Sequence, residues 1–254
     1  MSDLAVLKKA FNDKSVQHLF TRLMAHTDGL LQYLVFTRSL DFLERYKRVS
    51  LSIPDDASIL EVGSGKIGLG CFLNSTHDIV GVDVQSAIIE SSLTEKKVVS
   101  SAGDLPFIDN AFDVVVSVDC LEHLPPQVRA KFFVESKRVA KTYVILHVPI
   151  YELAYHADVQ FAKIYERLFH SKNWEHAQHL DYGLPTLGSL KETYPDSCIM
   201  FDQNLTVNYI LSILQKIPFA GWLTWVFYLP LLKNRHENPP YYSATIVWTK
   251  PMVR

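Results

Sequence analysis

The residues of this chain best suited to chemistry lie between Glu61 and Asp83. Gly63-Ser64-Gly65-Lys66-Ile67-Gly68 is a G-x-G-x-x-G run. Glycine there lets a turn take positive φ and lets a ligand touch the backbone. A helix starting in such a turn aims its first unpaired N–H groups at the same ligand. Asp83 stands 20 residues after Gly63, where two carboxylate oxygens can accept hydrogen bonds from a ribose diol. Glu61, immediately before the glycines, opposes a pyrophosphate by charge and favours a cationic ligand, an ammonium or a sulfonium, by an indirect interaction. These residues point to a nucleoside ligand that carries positive charge and no phosphate.

The elements that must position them read as strands alternating with helices, the mark of a parallel sheet. Ser58 to Val62 is a short apolar run suited to a strand covered on both faces. Ile79 to Asp83 is its parallel neighbour, with Asp83 at the carboxyl end, the edge at which open α/β sheets bind ligands. Lys97 to Ser101 is a third strand, and the β-branched Asp113 to Val118 a central fourth. Pro125-Pro126 opens a helix that turns Val128, Phe132, Phe133 and Val139 inward and leaves its basic residues on a solvated face. Thr142 to Val148 is the fifth strand; Ser197 to Phe201 and Ser243 to Trp248 are the last two. Residues 4 to 48 carry apolar residues near the helical period, broken at Asp28-Gly29, and predict an N-terminal helical cap.

Four motifs in order, ILEVGSG, VGVD, GDLPFIDNAFDVVVSVDCLEHL and RVAKTYVILHVP, span roughly residues 57 to 150. In this stretch the chain resembles the class I S-adenosylmethionine-dependent methyltransferase family, of the Rossmann-like, small-molecule type. The resemblance implies a mostly parallel seven-stranded sheet with an antiparallel edge strand, the last two strands pairing antiparallel there, plus helical insertions. It implies S-adenosyl-L-methionine as cofactor. Asp83 and the adjacent Val84 would lie at the ribose, Asp104 at the adenine amino group and the Leu105 N–H at a ring nitrogen. Gly63, Ser64 and Gly65, above Glu61, would pass the methionyl and ribose part, and Asp119 or the adjacent backbone would border the methionyl end. One departure is Ile67, which stands where the family has its third glycine.

Length and composition fit one domain, 1–254, divided into the cap (1–50), the cofactor core (51–150) and a substrate insertion with the C-terminal strands (151–254). A net charge of −2 gives no electrostatic footprint for nucleic acid. Cys71, Cys120 and Cys198 form no C-x-x-C pair, which argues against a disulfide framework or structural zinc, and with no apolar signal segment the expected compartment is the cytoplasm.

The acceptor is expected at Ile150 to Pro185, an insertion rich in tyrosine and histidine. His176 and His179, at i and i+3 beside Glu175, invite a metal reading, but two histidines without a third ligand fall short of one, and no metal is assigned. Candidate general bases are His123, His147 and His156. The acceptor class is a small molecule, a glycan or a lipid intermediate. Trp222, Trp225, Phe227 and Tyr228 followed by basic residues would allow peripheral membrane contact. Two alternatives stay open: an NAD(P)-dependent oxidoreductase, which G-x-G-x-x-G and Asp83 alone would serve, and a non-catalytic module that only binds S-adenosylmethionine.

Overall fold

A computed structural model describes residues 45–46, 48–65, 68–73, 77–86, 94–214, 235 and 237–251. Seven strands form one sheet: β1 Ser58–Val62, β2 Asp78–Asp83, β3 Lys96–Val99, β4 Phe112–Val118, β5 Ala140–Pro149, β6 Cys198–Asn204 and β7 Tyr241–Thr249. Their order is β3-β2-β1-β4-β5-β7-β6. β1 to β5 pair in parallel, and β7 runs antiparallel to both β5 and β6. This is the Rossmann-like sheet that the resemblance implies, with the C-terminal pair antiparallel at one edge. Because the order reverses between β1 and β4, the carboxyl ends of β1, β2 and β4 open onto one crevice.

Strand periodicity divides the core between the two faces. Leu60, Val62, Val115, Val144 and Leu146 face one side, against Phe132, Val139, Leu190 and Tyr194. Ile59, Val114, Val116 and Ile145 face the other, with Tyr46, Val49, Ile53, Leu69 and Phe72. Burial on both faces is what the uninterrupted β-branched run of β4 requires. The helices are α1 Pro126–Val139, α2 Tyr151–Phe169, α3 Trp174–Tyr182, α4 Leu187–Thr193 and α5 Leu205–Leu214. Pro126 sits in the first turn of α1, where a missing N–H costs nothing.

The basic face of α1 does more than meet solvent. Arg129 donates to the carbonyl oxygens of Leu121, Leu124 and Gly183, and Arg138 to those of Phe107 and Leu105. These two guanidinium groups clamp the loops beyond β3 and β4 against the helix, and a charge-assisted donor suits that task.

Of the expected N-terminal cap, the described part is helical at 45–46 and 48–51 and packs on the sheet through Tyr46 and Val49. The remainder of the cap, Lys66 and Ile67, and the aromatic segment around Trp222 to Tyr228 lie outside the described residues. No helix among the described residues is long and apolar enough to cross a membrane.

Candidate active site

The turn after β1 is built by glycine where only glycine fits. Gly63 has φ +78, and its N–H donates to the Val82 carbonyl at 2.8 Å. A Cβ there would meet Cys120 Sγ at 2.4 Å and Cys120 Cβ at 2.6 Å. The turn after β1 and the loop after β4 are therefore in direct contact. Gly65, at φ +57, is the opposite case, since a Cβ on it would have nothing within 4 Å. One glycine seals the turn against the β4 loop and the other leaves backbone open to a ligand. Gly63→Ala is expected to cost about 2 kcal/mol from left-handed backbone and overpacking together. Rotating Cys120 about χ1 cannot relieve a clash with its own Cβ. In thermal unfolding this reads as a drop of roughly 4–8 °C.

After the turn the sequence predicts a helix. The described residues show a single 3-10 turn, Leu69–Cys71, with Gly68 at its N-cap. Its first N–H is used inward, because Leu69 N donates to Glu61 Oε2 at 2.7 Å, while Tyr46 Oη donates to Glu61 Oε1 at 2.9 Å. Glu61 is fully buried, and burial pushes its carboxyl up to about 7. It thus works beneath the turn, tying the described end of the N-terminal segment to the glycine loop.

Asp83 ends β2, its carboxylate accepting from Gly65 N (3.2 Å, Oδ2) and Gln85 N (3.0 Å, Oδ1). Asp104 is exposed on the loop after β3 and is linked to the same edge through Ser100, whose N–H donates to the Asp83 carbonyl and whose hydroxyl donates to the Asp104 carbonyl. Both carboxylate residues thus stand at neighbouring strand tips. The Leu105 N–H, expected at a ring nitrogen, donates to Glu135 Oε2 at 2.8 Å. Ser64 is buried with its hydroxyl unbonded, packed toward Gly81, and Val84 is exposed beside Asp83.

Beyond β4, Asp119 takes φ +46 and accepts from Arg45 Nη1 and His147 Nδ1, both at 2.8 Å. Burial alone would raise its pKa, but the Arg45 guanidinium and His147 hold it well below the usual carboxylate range. His147 also contacts Ser243 Oγ through Nε2 at 3.1 Å, so both its ring nitrogens are engaged within the core. That makes His147 a positioning residue for Asp119. His156 lies exposed on α2 against the Tyr155 ring.

His123, in the 3-10 turn Leu121–His123, is brought instead to α3. Its Nδ1 lies 2.9 Å from Gln178 Oε1, and its ring centroid 5.0 Å from that of His179. Glu122, His123 and His179 each place one potential ligand atom within 4.8 Å of the others. His179 Nδ1 meets Asp158 Oδ2 at 2.8 Å, and Asp158, fully buried on α2, also accepts from the hydroxyls of Tyr242 and Tyr209. His176, the expected partner of His179, stacks on Phe161 at 4.4 Å. The sequence alone singles out neither the Glu122 nor the Asp158 carboxylate, because nothing in the chain's spacing ties Glu122 to α3 or Asp158 to His179.

Burial chiefly, then Glu122, Asp83 and Glu61, push the Cys120 thiol up to about 12. Burial, then Asp119, raise Glu122 well above the ordinary glutamate range.

A family model described as "Methyltransferase domain" matches residues 60–147, the segment that runs from β1 through most of β5. Residues 60–147 thus match a methyltransferase-domain model, and the sheet has the fold of the class I methyltransferases. Solved structures with the same fold include a SAM-dependent methyltransferase from Archaeoglobus fulgidus (17% identity, TM-score 0.51, covering 83% of this chain and 92% of that one). Another, from Thermotoga maritima, has 14% identity and a TM-score of 0.52 and covers 87% and 93%. Phosphoethanolamine N-methyltransferase 2 of Haemonchus contortus, solved with S-adenosyl-L-methionine, gives 16% identity and a TM-score of 0.52, covering 96% of this chain and 60% of that chain. No curated protein matches the chain.

S-adenosyl-L-methionine is the ligand of the Haemonchus contortus structure, and the residues present here fit such a group. A carboxylate at the tip of β2 suits a ribose diol, and the open side of Gly65 admits the chain bound to it.

Proposed function

We propose that this methyltransferase domain transfers a methyl group to a small-molecule, glycan or lipid-intermediate acceptor, in the cytoplasm. In this reading residues 51–150 hold the cofactor, 151–254 supply the acceptor side, and the whole chain acts as one domain. The observation that carries it is the contact between Gly63 and Cys120, which joins the cofactor turn to the loop that bears Glu122 and His123. In this reading donor and acceptor sides meet at the carboxyl ends of β1 and β4.

When bound, the cofactor supplies an activated methyl on a sulfonium, so that transfer is an in-line displacement governed by positioning. In this reading Asp83 holds the ribose, Asp104 and the loop braced by Arg138 border the adenine, and Gly65 presents bare backbone to the methionyl part. Asp119, fixed by Arg45 and His147, bounds the far end of the pocket. Glu122, His123 and His179 form the wall that the acceptor meets, and an acceptor hydroxyl would lose its proton there.

Calorimetric titration of the full chain with S-adenosylhomocysteine and, separately, with NADH tests the cofactor half of the reading. Binding of S-adenosylhomocysteine alone is expected; binding of NADH alone would replace the reading with the oxidoreductase alternative. For the transfer half, labelled cofactor is incubated with hydroxylated acceptors. Appearance of a labelled methyl in product is expected, and tight cofactor binding with no transfer to any acceptor would favour a binding module.

A further inference from the structure

We propose that Glu122, His123 and His179 bind one divalent transition-metal cation, zinc or a cation of similar ligand preference. Two imidazoles and a carboxylate are a donor set that holds zinc with a position left open, and imidazole suits cations of this class. Each residue offers one atom, and the three lie within 4.8 Å of one another. Ligands of a shared tetrahedral cation stand about 3.4 Å apart, as bond lengths near 2.1 Å require. Side-chain movements of about an ångström close that difference.

Three further observations mark this cluster as a built site. Glu122 is 1% exposed, and its Oε2 has no hydrogen-bond partner. A buried carboxylate oxygen left unpaired is costly, and a cation would satisfy it. His179 is oriented from behind by Asp158 at 2.8 Å, and Asp158 is in turn fixed by Tyr242 Oη at 3.0 Å and Tyr209 Oη at 3.2 Å. Carboxylate-to-histidine support of this kind sets the tautomer and basicity of a metal-bound imidazole. Arg129 ties the carbonyls of Leu121 and Leu124 to that of Gly183, so the loop carrying Glu122 and His123 is braced against the end of α3. The metal partnership is thus between the β4 loop and α3, and uses His179 with Glu122 and His123 in place of His176.

The cation's role, though not its binding, rests on the reading of this wall as the acceptor side. An acceptor hydroxyl bound in the open position would have its pKa lowered, as metal-bound water does. Its proton would pass to solvent, the oxygen would form the new bond to the methyl carbon, and the carbon–sulfur bonding pair would stay on sulfur.

The test is a titration of tag-free, chelator-stripped full-length protein with Co²⁺ alone, followed in visible absorption, then with Zn²⁺ as competitor. Bands that saturate at one Co²⁺ per chain and are displaced by Zn²⁺ are expected. Glu122→Gln and His179→Ala should each weaken the site at least tenfold, the loss that even supporting residues of metal sites produce, while His156→Ala leaves it unchanged. Absence of bands, or unaltered affinity in Glu122→Gln, would overturn the proposal. Glu122→Gln is close to isosteric, so it decides should His179→Ala unfold. S-adenosylhomocysteine affinity measured on the same samples separates the two ideas: cofactor bound without a Co²⁺ site removes the cation and keeps the methyltransferase reading.

Discussion

Asp83→Ala is expected to weaken S-adenosylhomocysteine binding by roughly 10- to 150-fold, because a charge-assisted hydrogen bond to a ribose hydroxyl contributes about 1.5–3 kcal/mol. The carboxylate also accepts from Gly65 and Gln85 N–H groups, so the variant loosens the turn as well as removing the ribose partner. Asp83→Asn separates the two effects. It keeps an acceptor for one N–H and loses the charge, and an intermediate affinity is expected. Calorimetry gives the affinities, and thermal unfolding checks that each variant folds. Affinity unchanged in Asp83→Ala would mean that the ribose is held elsewhere.

The second large effect belongs to Glu61. Glu61→Ala would remove the acceptor that the Tyr46 hydroxyl and the buried Leu69 N–H both use, at a cost of about 3 kcal/mol. The ionisation of this acid also gives a pH signature. Burial raises its folded pKa from 4.5 to about 7, so between those values the folded chain holds a proton that the unfolded chain has lost. That contribution to stability is fully present below pH 4.5 and disappears as pH rises through about 7. Two and a half units correspond to about 3 kcal/mol at most. Urea unfolding of the cofactor-free protein at pH 5 and pH 8.5 should therefore show the wild type losing about 2–3 kcal/mol more over that interval than Glu61→Gln. Parallel pH profiles for the two chains would show that Glu61 is ionised in the folded state.

Much of this arrangement is legible in the sequence because it depends on short-range patterns. The apolar run of β1 ends where the glycines begin, and β2 ends at the acid, so Ser58–Val62 and the tip at Asp83 can be placed without coordinates. The positive φ of Gly63 and Gly65 is likewise implied by their type. What is not legible is long-range. The i, i+3 spacing of His176 and His179 suggests a shared partner, and both do reach the Asp158 carboxylate, but that this partner is Asp158, with His176 also on Phe161 and His179 also beside His123 of the β4 loop, only the packing of α3 shows. Glu61 is visible as a charge before the glycines, but its use depends on Tyr46, which only the fold brings near. The Leu105 N–H is taken by Glu135 of α1, a pairing set by how Arg138 and Glu135 bond each other across the helix end. The basic run of α1 reads as solvated for the same reason: its carbonyl partners lie on distant loops.

His147 illustrates how a residue of catalytic type comes to a supporting role. Its place late in β5 puts it beside Asp119, and Ser243 of β7 takes the other ring nitrogen. With Arg45 on the second carboxylate oxygen, the trio holds Asp119 in a left-handed backbone conformation that a non-glycine residue adopts at a cost. The strain falls where β4 gives way to the loop that touches Gly63.

A crystal structure of the full chain with S-adenosylhomocysteine tests most directly the proposal that the edge formed by β1, β2 and β3 binds the cofactor. The predicted result has both ribose hydroxyls within about 3 Å of the Asp83 carboxylate, the adenine beside Asp104, and the sulfur above Gly63 to Gly65 on the side of Glu122. A ligand bound at another edge of the sheet, or an Asp83 carboxylate still held only by Gly65 and Gln85, would contradict it.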